Sequence, residues 1–419
     1  MEKSDSTMTG VPASRSSGYI AYLVALMSLI ALMDWYMSTT KTTALPYILQ
    51  EYNITASEFS RWEALVLAPT FFIFLLNGLL DIIGRRFSIL VLLLLMGLSC
   101  LGIVYLAPSF QTFMIFYGIA MFTTVSNMWA VPISEEASAE SRGKLGALVY
   151  TIGLFPLTAL LAPIIINRWE LGWKWMFGVV FVLMCVAILL WLFMQETQRY
   201  KTIQKQRKDG TSKLHVFGIG SIDRSDMRYI VLSAILWLCW LVDSFLFMWM
   251  GYYFMTINDY TLQQWSTVFM GMGLALIVGG IVASLVIDKI GRGTTFIVGC
   301  IGMIVSMGPL GLVPGKLLPL LSVVAGFFIS FSYTWFVVYI PEVFPTERRG
   351  ACLGWVSTIT RISYVLGPLL AAELLVLSPK MLWFWVVTGL LMLIPIIVVF
   401  VFKPFETTRK ELEVIEARR

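Results

Sequence analysis

The chain has 419 residues, 58% of them hydrophobic and 13% charged, and its mean hydropathy is +0.82. Those proportions exclude an ordinary water-soluble domain. The net charge of +5 does not point to nucleic acid, because the basic residues sit at the ends of apolar runs and in one linker, where membrane topology places them.

The first 17 residues are polar and the apolar run from Tyr19 is too long for the core of a signal peptide, so 1–18 is expected to remain as a cytoplasmic tail. Twelve helical spans are predicted at 19–48, 61–83, 87–107, 110–134, 143–167, 173–194, 229–257, 262–287, 294–314, 317–341, 350–377 and 381–402. Each is long enough to cross about 30 Å of hydrocarbon. With the amino terminus inside, only Arg61, Arg168, Lys174, Lys316 and Lys380 of the 30 Lys and Arg residues fall outside, and Lys41 and Arg361 lie within spans. This asymmetry places both termini on the cytoplasmic face of a multi-pass protein of the cell membrane.

The polar linker 195–228 separates two six-helix bundles, 19–194 and 229–402, and 403–419 forms a second cytoplasmic tail. The linker's basic residues, such as Arg199, Lys205 and Arg224, read as a solvated hinge. Five cysteines lie in or at the ends of apolar runs without paired or ligand spacing, and read as core residues. The one histidine, His215, is in the linker. No phosphate-cradling loop, nucleophile elbow or metal constellation accompanies it, so neither an enzyme nor a cofactor is expected.

An internal repeat carries the most information. Gly-Leu-Leu-Asp-Ile-Ile-Gly-Arg-Arg at 78–86 recurs as Leu-Val-Ile-Asp-Lys-Ile-Gly-Arg-Gly at 285–293, so that Asp288 follows Asp81 by 207 positions. At the same offset Glu135 meets Glu342, Arg142 meets Arg349 and Gly143 meets Gly350. Two loops matching in register imply two parallel halves related by an axis along the membrane normal.

Asp81, Gly84, Arg85 and Arg86, with the second copy Asp288, Gly291 and Arg292, resemble the G-x-x-x-D-x-x-G-R-R/K signature of the major facilitator superfamily. Tyr339-x-x-Glu342-Val343-Phe344-Pro345-Thr346-x-x-Arg349-Gly350 resembles the loop after the tenth helix in sugar porters, aromatic-acid/proton symporters and organic-ion carriers. The resemblance implies an all-α membrane protein of two pseudo-symmetric six-helix bundles, monomeric by default. An Asp facing Arg side chains at helix ends can clamp neighbouring helices until the halves rock. Asp81, Arg85, Arg86, Glu135, Arg142, Asp288, Arg292, Glu342 and Arg349 are therefore expected to gate.

Selectivity must come from the bundle interior, where ionisable groups are costly and usually functional or paired. Asp34, Ser38 and Lys41, spaced i, i+4, i+7, form one polar stripe that is expected to face a cavity. Asp243 lies within two residues of the position that the repeat offset gives Asp34. Asp34-Trp35-Tyr36 resembles the acidic first-helix motif of the aromatic-acid symporters, which implies that the carboxylate carries a proton. Asp34 and Asp243 are the expected coupling residues, with a static pair of Lys41 to Asp34 or Glu63 as the alternative.

Arg361, in Thr360-Arg361-Ile362-Ser363-Tyr364-Val365-Leu366-Gly367-Pro368, resembles the eleventh-helix run of aromatic-acid and organic-anion carriers, where this Arg goes with anionic substrates. A guanidinium matches a carboxylate and stays charged when buried. An internal bridge to Asp243 or Asp34 is the alternative. Lys41, Tyr36, Asn127, Tyr150, Trp240, Trp335, Ser357 and Tyr364 are further candidate substrate contacts. Tyr150 stands where a sugar porter usually has Gln, and 229–257 lacks a Gln pair, although Gln195–Arg199 and Lys403–Arg409 resemble sugar-porter helix-end motifs.

The leading expectation is proton-coupled symport of a small organic anion, an aromatic or aliphatic carboxylate, by alternating access. A sugar or polyol porter and an organic-cation carrier are the alternatives within transport. A receptor that has kept the fold without transport is the alternative outside it.

Overall fold

The computed structural model describes residues 15–73, 82–127, 129–138, 141–208, 224–344 and 349–407. Asp81, His215 and the Pro345–Thr346 stretch lie outside the described residues. Within them the secondary structure is helical, and ten helices are long and apolar enough to cross a membrane. The shorter apolar helix Phe110–Thr124 stands at the fourth predicted span. Ala56–Leu67, continuing through Phe72, stands at the second.

Local chemistry sets the helix ends. The first helix, Ser17–Tyr52, is 36 residues long and runs through Pro46; at about 54 Å it outreaches the hydrocarbon core. It stops at Asn53, where φ is 48° and the backbone N–H returns to Leu49 O. The Thr55 hydroxyl then caps Glu58 N while the Glu58 carboxylate accepts from Thr55 N. This capping box starts the second helix at Ala56, earlier than the predicted 61. Ser109 with Thr112 and Thr261 with Gln264 open the fourth and eighth spans in the same way.

Among the described residues, five predicted continuous spans are interrupted within their length, the fifth at Leu154–Pro156 and the twelfth at Met392. The fourth is Phe110–Thr124 followed by Ala130–Glu136, with Asn127 at φ 50° between them. The seventh runs Arg224–Phe247 and resumes at Met250–Tyr252. The eleventh runs Arg349–Thr360 and resumes at Ser363–Leu377. Non-helical backbone is tolerated at membrane depth only where it lines a cavity or is covered by protein. These breaks therefore point to the interior site.

The two halves meet along matching pairs: span 2 against span 11, span 8 against span 5, and span 1 against span 7. The first two pairings exchange under the repeat, as a pseudo-twofold axis requires. Besides a bond at the central cavity, from Arg361 Nη2 to Val125 O, three hydrogen bonds join the halves at the end away from the basic loops. Ser60 Oγ donates to Pro368 O at 2.7 Å, Trp265 Nε1 to Thr43 Oγ1 at 3.0 Å, and Gly251 N to Thr42 Oγ1 at 3.3 Å. An exposed Arg61–Glu373 pair at 3.1 Å lies beside them. The molecule is sealed at this end.

Four cysteines are buried as expected, but Cys185 is exposed. It sits on the outward face of Lys174–Trp191, among the exposed side chains Val182, Val186 and Leu189. On a membrane span that face meets lipid, which the run's apolarity alone does not separate from core.

Candidate functional site: a central cavity and two loop clamps

Two adjoining chambers of about 190 and 210 Å³ lie between the halves and share Trp35, Ser38, Tyr150, Trp240, Tyr333 and Tyr364. Tyr150 stacks on Tyr333 across the halves at 6.1 Å, and Tyr333 lies 4.9 Å from Trp240. The first chamber adds Met121, Phe247, Leu276 and Ile329, and none of its lining residues is charged. The second adds Asp34, Asn127, Trp129, Trp237 and Arg361.

The breaks in spans 4 and 11 place the key groups of the second chamber. In span 11, Ser363 Oγ donates to Thr360 O and Thr360 Oγ1 to Ser357 O, satisfying backbone that the interruption exposes. Arg361 thereby projects across to span 4, where its Nη2 donates to Val125 O at 3.0 Å, beside the break at Asn127. Nη1 donates to the Tyr364 hydroxyl at 3.1 Å, and Nε is buried with no partner. Among the described residues no carboxylate forms an ion pair with Arg361, neither Asp34 nor Asp243.

Asp34 lines the same chamber, 7% exposed, and neither carboxylate oxygen has a hydrogen-bond partner. The Trp129 indole is the donor that faces it, outside hydrogen-bonding geometry. Asp243 is fully buried and also without a hydrogen-bond partner, but it lines neither chamber and lies toward Cys239 and Cys300.

The predicted polar stripe divides. Ser38 faces both chambers. Lys41 turns into the first half, where its ammonium lies 2.8 Å from both oxygens of Glu63. Tyr117 Oη donates to Glu63 Oε1 at 2.9 Å, and the Trp249 ring covers Lys41 at 5.7 Å. The Lys41 and Glu63 side chains are 3% and 1% exposed.

Of the remaining candidates, Asn127, Tyr150, Trp240 and Tyr364 line the cavity. Tyr36 instead donates to Met176 O at 2.8 Å, and Trp335 stacks on Tyr339 at 4.5 Å. Ser357 serves as the backbone acceptor for Thr360. Trp129, Trp237 and the Val125 carbonyl belong to the site without having been expected. For Trp129 and Val125 the signal in the sequence is faint, the polar Thr123–Asn127 stretch of the fourth span, and Trp237 has none.

At the basic-loop end the repeat becomes two matching clamps. Arg85 Nη2 meets Glu135 at 2.7 Å and Arg292 Nη2 meets Glu342 at 3.0 Å. Thr197 and Thr407 each donate to the clamp glutamate at 2.6 Å. Glu196 accepts from Arg85 N and Arg86 N, as Glu406 does from Arg292 N and Gly293 N. Gly84 and Gly291 make these approaches possible, with φ of 92° and 95°. Carboxylates against the first backbone N–H groups of spans 3 and 9 also complement the helix dipole. Asp288 pairs with Arg292, Arg86 lies over Trp191, and Arg142 is exposed. Arg349 opens its helix, and its side chain lies outside the described set.

Comparison with known proteins agrees with this architecture. The family model described as Major Facilitator Superfamily matches residues 24–317 and 259–418. A cis,cis-muconate transport protein of Acinetobacter baylyi is 26% identical over 231 residues, 52% of this chain and 53% of that protein's length. The glucose transporter GlcP of Staphylococcus epidermidis is 26% identical over 382 residues, 81% of this chain and 83% of that protein. The inward-open structure of the xylose transporter XylE from E. coli superposes with a TM-score of 0.74 at 19% identity, covering 96% of this chain and all of that one. With the family model spanning nearly the whole chain and the doubled clamp in place, this protein is a membrane transporter belonging to the major facilitator superfamily.

Proposed function

We propose that the protein is a proton-coupled symporter of a small organic anion, a carboxylate with an apolar or aromatic body. The observation that carries this reading is Arg361, a buried guanidinium on the central cavity whose described partners are a backbone carbonyl and a phenol. Neutral acceptors leave its positive charge uncompensated, so an incoming carboxylate gains a charge-assisted bond. An uncompensated cation on the path also opposes a cationic cargo. The uncharged, aromatic first chamber suits the body of the substrate while its carboxylate engages Arg361. Tyr150, Trp240, Tyr364, Asn127 and Ser38 complete the contacts.

Asp34 is the proposed proton carrier, because it faces the same chamber and can change protonation state without breaking a bridge. Asp243, off the cavity, is the second candidate. The basic-loop end is read as cytoplasmic, which makes the conformation inward-facing, sealed by Thr42, Thr43 and Ser60 against the second half. The two arginine–glutamate clamps hold span ends together as the halves rock.

A sugar porter is the second reading. The likeness to a glucose transporter over 81% of the chain supports it as well as the muconate relative supports the first. Uptake into proteoliposomes of labelled benzoate, cis,cis-muconate, glucose, xylose and tetraethylammonium, with and without an inward proton gradient, separates them. The anion reading expects carboxylates to accumulate, Arg361→Ala to weaken their binding at least about tenfold, and Asp34→Asn to abolish only gradient-driven accumulation. Sugar uptake that survives Arg361→Ala overturns it.

A further inference from the structure

The short helix Ala130–Glu136 runs from the cavity to the clamp at the basic-loop end. Trp129 precedes its first turn and lines the polar chamber with Asp34, its indole N–H facing the carboxylate. At the far end Glu135 accepts from Arg85 and Thr197. Next to it, Glu136 accepts from Arg15 Nε and Gln198 N, each at 2.5 Å. The residue that leads into this short helix thus faces the candidate proton group, and the helix ends on two loop-end bridges.

The same helix is disconnected from the rest of its span. Phe110–Thr124 ends before Asn127, whose φ of 50° interrupts the helical backbone. Arg361 secures the membrane-side stump by its bond to Val125 O. A displacement of Ala130–Glu136 therefore does not have to break a continuous hydrogen-bond ladder or move the stump.

We propose that Trp129 is a positioning residue that transmits the protonation state of Asp34 through the Ala130–Glu136 helix to the clamp residues Glu135 and Glu136. The inference rests on the reading of Asp34 as proton carrier. A charged Asp34 draws in the indole N–H as a hydrogen-bond donor, and a neutral one lets it go. The pull is carried along the helix axis to the carboxylates that grip Arg85 and Arg15. The other charged or titratable groups around that chamber are Arg361, Tyr150, Tyr333 and Tyr364. Two nitrogens of Arg361 are already engaged, with Val125 O and the Tyr364 hydroxyl.

The test needs no substrate, because the proton is the probe. Deuterium exchange of peptides covering Ala130–Glu136 is followed on the full chain in lipid nanodiscs at acid and mildly alkaline pH, corrected for intrinsic exchange. In the parent, acid is expected to speed exchange by about threefold or more as the helix is released. Asp34→Asn and Trp129→Phe are both expected to lose that response, with exchange in Arg292–Met307 unchanged as the folding control. Trp129→Gln, which keeps a side-chain N–H donor and does not titrate, is expected to restore part of it and serves if the phenylalanine variant fails to fold. A Trp129→Phe protein that responds like the parent overturns the inference while leaving Asp34 as proton carrier. An Asp34→Asn protein that responds like the parent removes the proton reading itself. A parent with no response overturns the inference and leaves the anion reading untouched.

Discussion

Replacing Gly251 by alanine is expected to open the sealed end and shift the protein toward the opposite conformation. A Cβ built at Gly251 stands 1.6 Å from Thr42 O and 2.6 Å from Thr42 C, both backbone atoms that cannot rotate away. Since an ordinary C···O approach is about 3.3 Å or more, spans 1 and 7 must part by roughly 1.5–2 Å. That parting strains three neighbouring contacts: Gly251 N to Thr42 Oγ1, Trp265 Nε1 to Thr43 Oγ1, and the Lys41 ammonium over Trp249. At about 0.5–1.5 kcal/mol each, their loss disfavours the sealed state by about 2–4 kcal/mol. The conformational ratio then changes roughly 30- to 1000-fold.

Spin labels at Gln111 and Gln263 report the sealed end, and labels at Lys144 and Lys289 report the basic-loop end; all four residues are exposed. In Gly251→Ala the first distance is expected to lengthen and the second to shorten. Unchanged distance distributions at both ends would refute the assignment of Gly251 as the closest point of the seal.

Three further outcomes follow from the geometry. Arg361→Ala is expected to weaken carboxylate binding about 10- to 150-fold, the loss of a hydrogen bond to a charged group; calorimetric titration with benzoate that matches the parent contradicts this. Lys41→Met leaves the Glu63 carboxylate buried without its cation and is expected to destabilise by about 3–5 kcal/mol. Adding Glu63→Gln is expected to recover most of that, and thermal unfolding of the single and double variants that shows simple additivity removes the coupling. Outside the membrane, hydrogen bonds from the Thr55 backbone and hydroxyl hold the Glu58 carboxyl below its ordinary value. Its cap is therefore present above the ordinary carboxylate pKa and lost as pH falls through the lowered one. A 13C titration of Glu58 at or above the ordinary value excludes the cap.

The sequence determined the architecture because that rests on local and repeated signals. Runs long enough to span hydrocarbon define helices, and the Asp81/Asp288 and Glu135/Glu342 registers define two related halves. The start of the second helix was not legible: its span is expected from 61, and the capping box at Thr55 moves it to Ala56. Arg361 stood out for a local reason: a permanent cation inside an apolar run is costly wherever the helix turns.

Facing and pairing were decided only by tertiary structure. Helical periodicity put Asp34, Ser38 and Lys41 on one stripe, yet Lys41 left it for Glu63, which is 22 residues away on another helix. Asp34 and Asp243 fall at nearly matching positions of the repeat, but one lines the cavity and the other is buried within the second half. The tryptophans divide likewise, Trp240 lining the cavity and Trp335 packing on Tyr339, because an aromatic side chain suits lipid, core and pocket equally well. Helix rotation and the break at Asn127 depend on how spans from both halves press together, and no single apolar run carries that information.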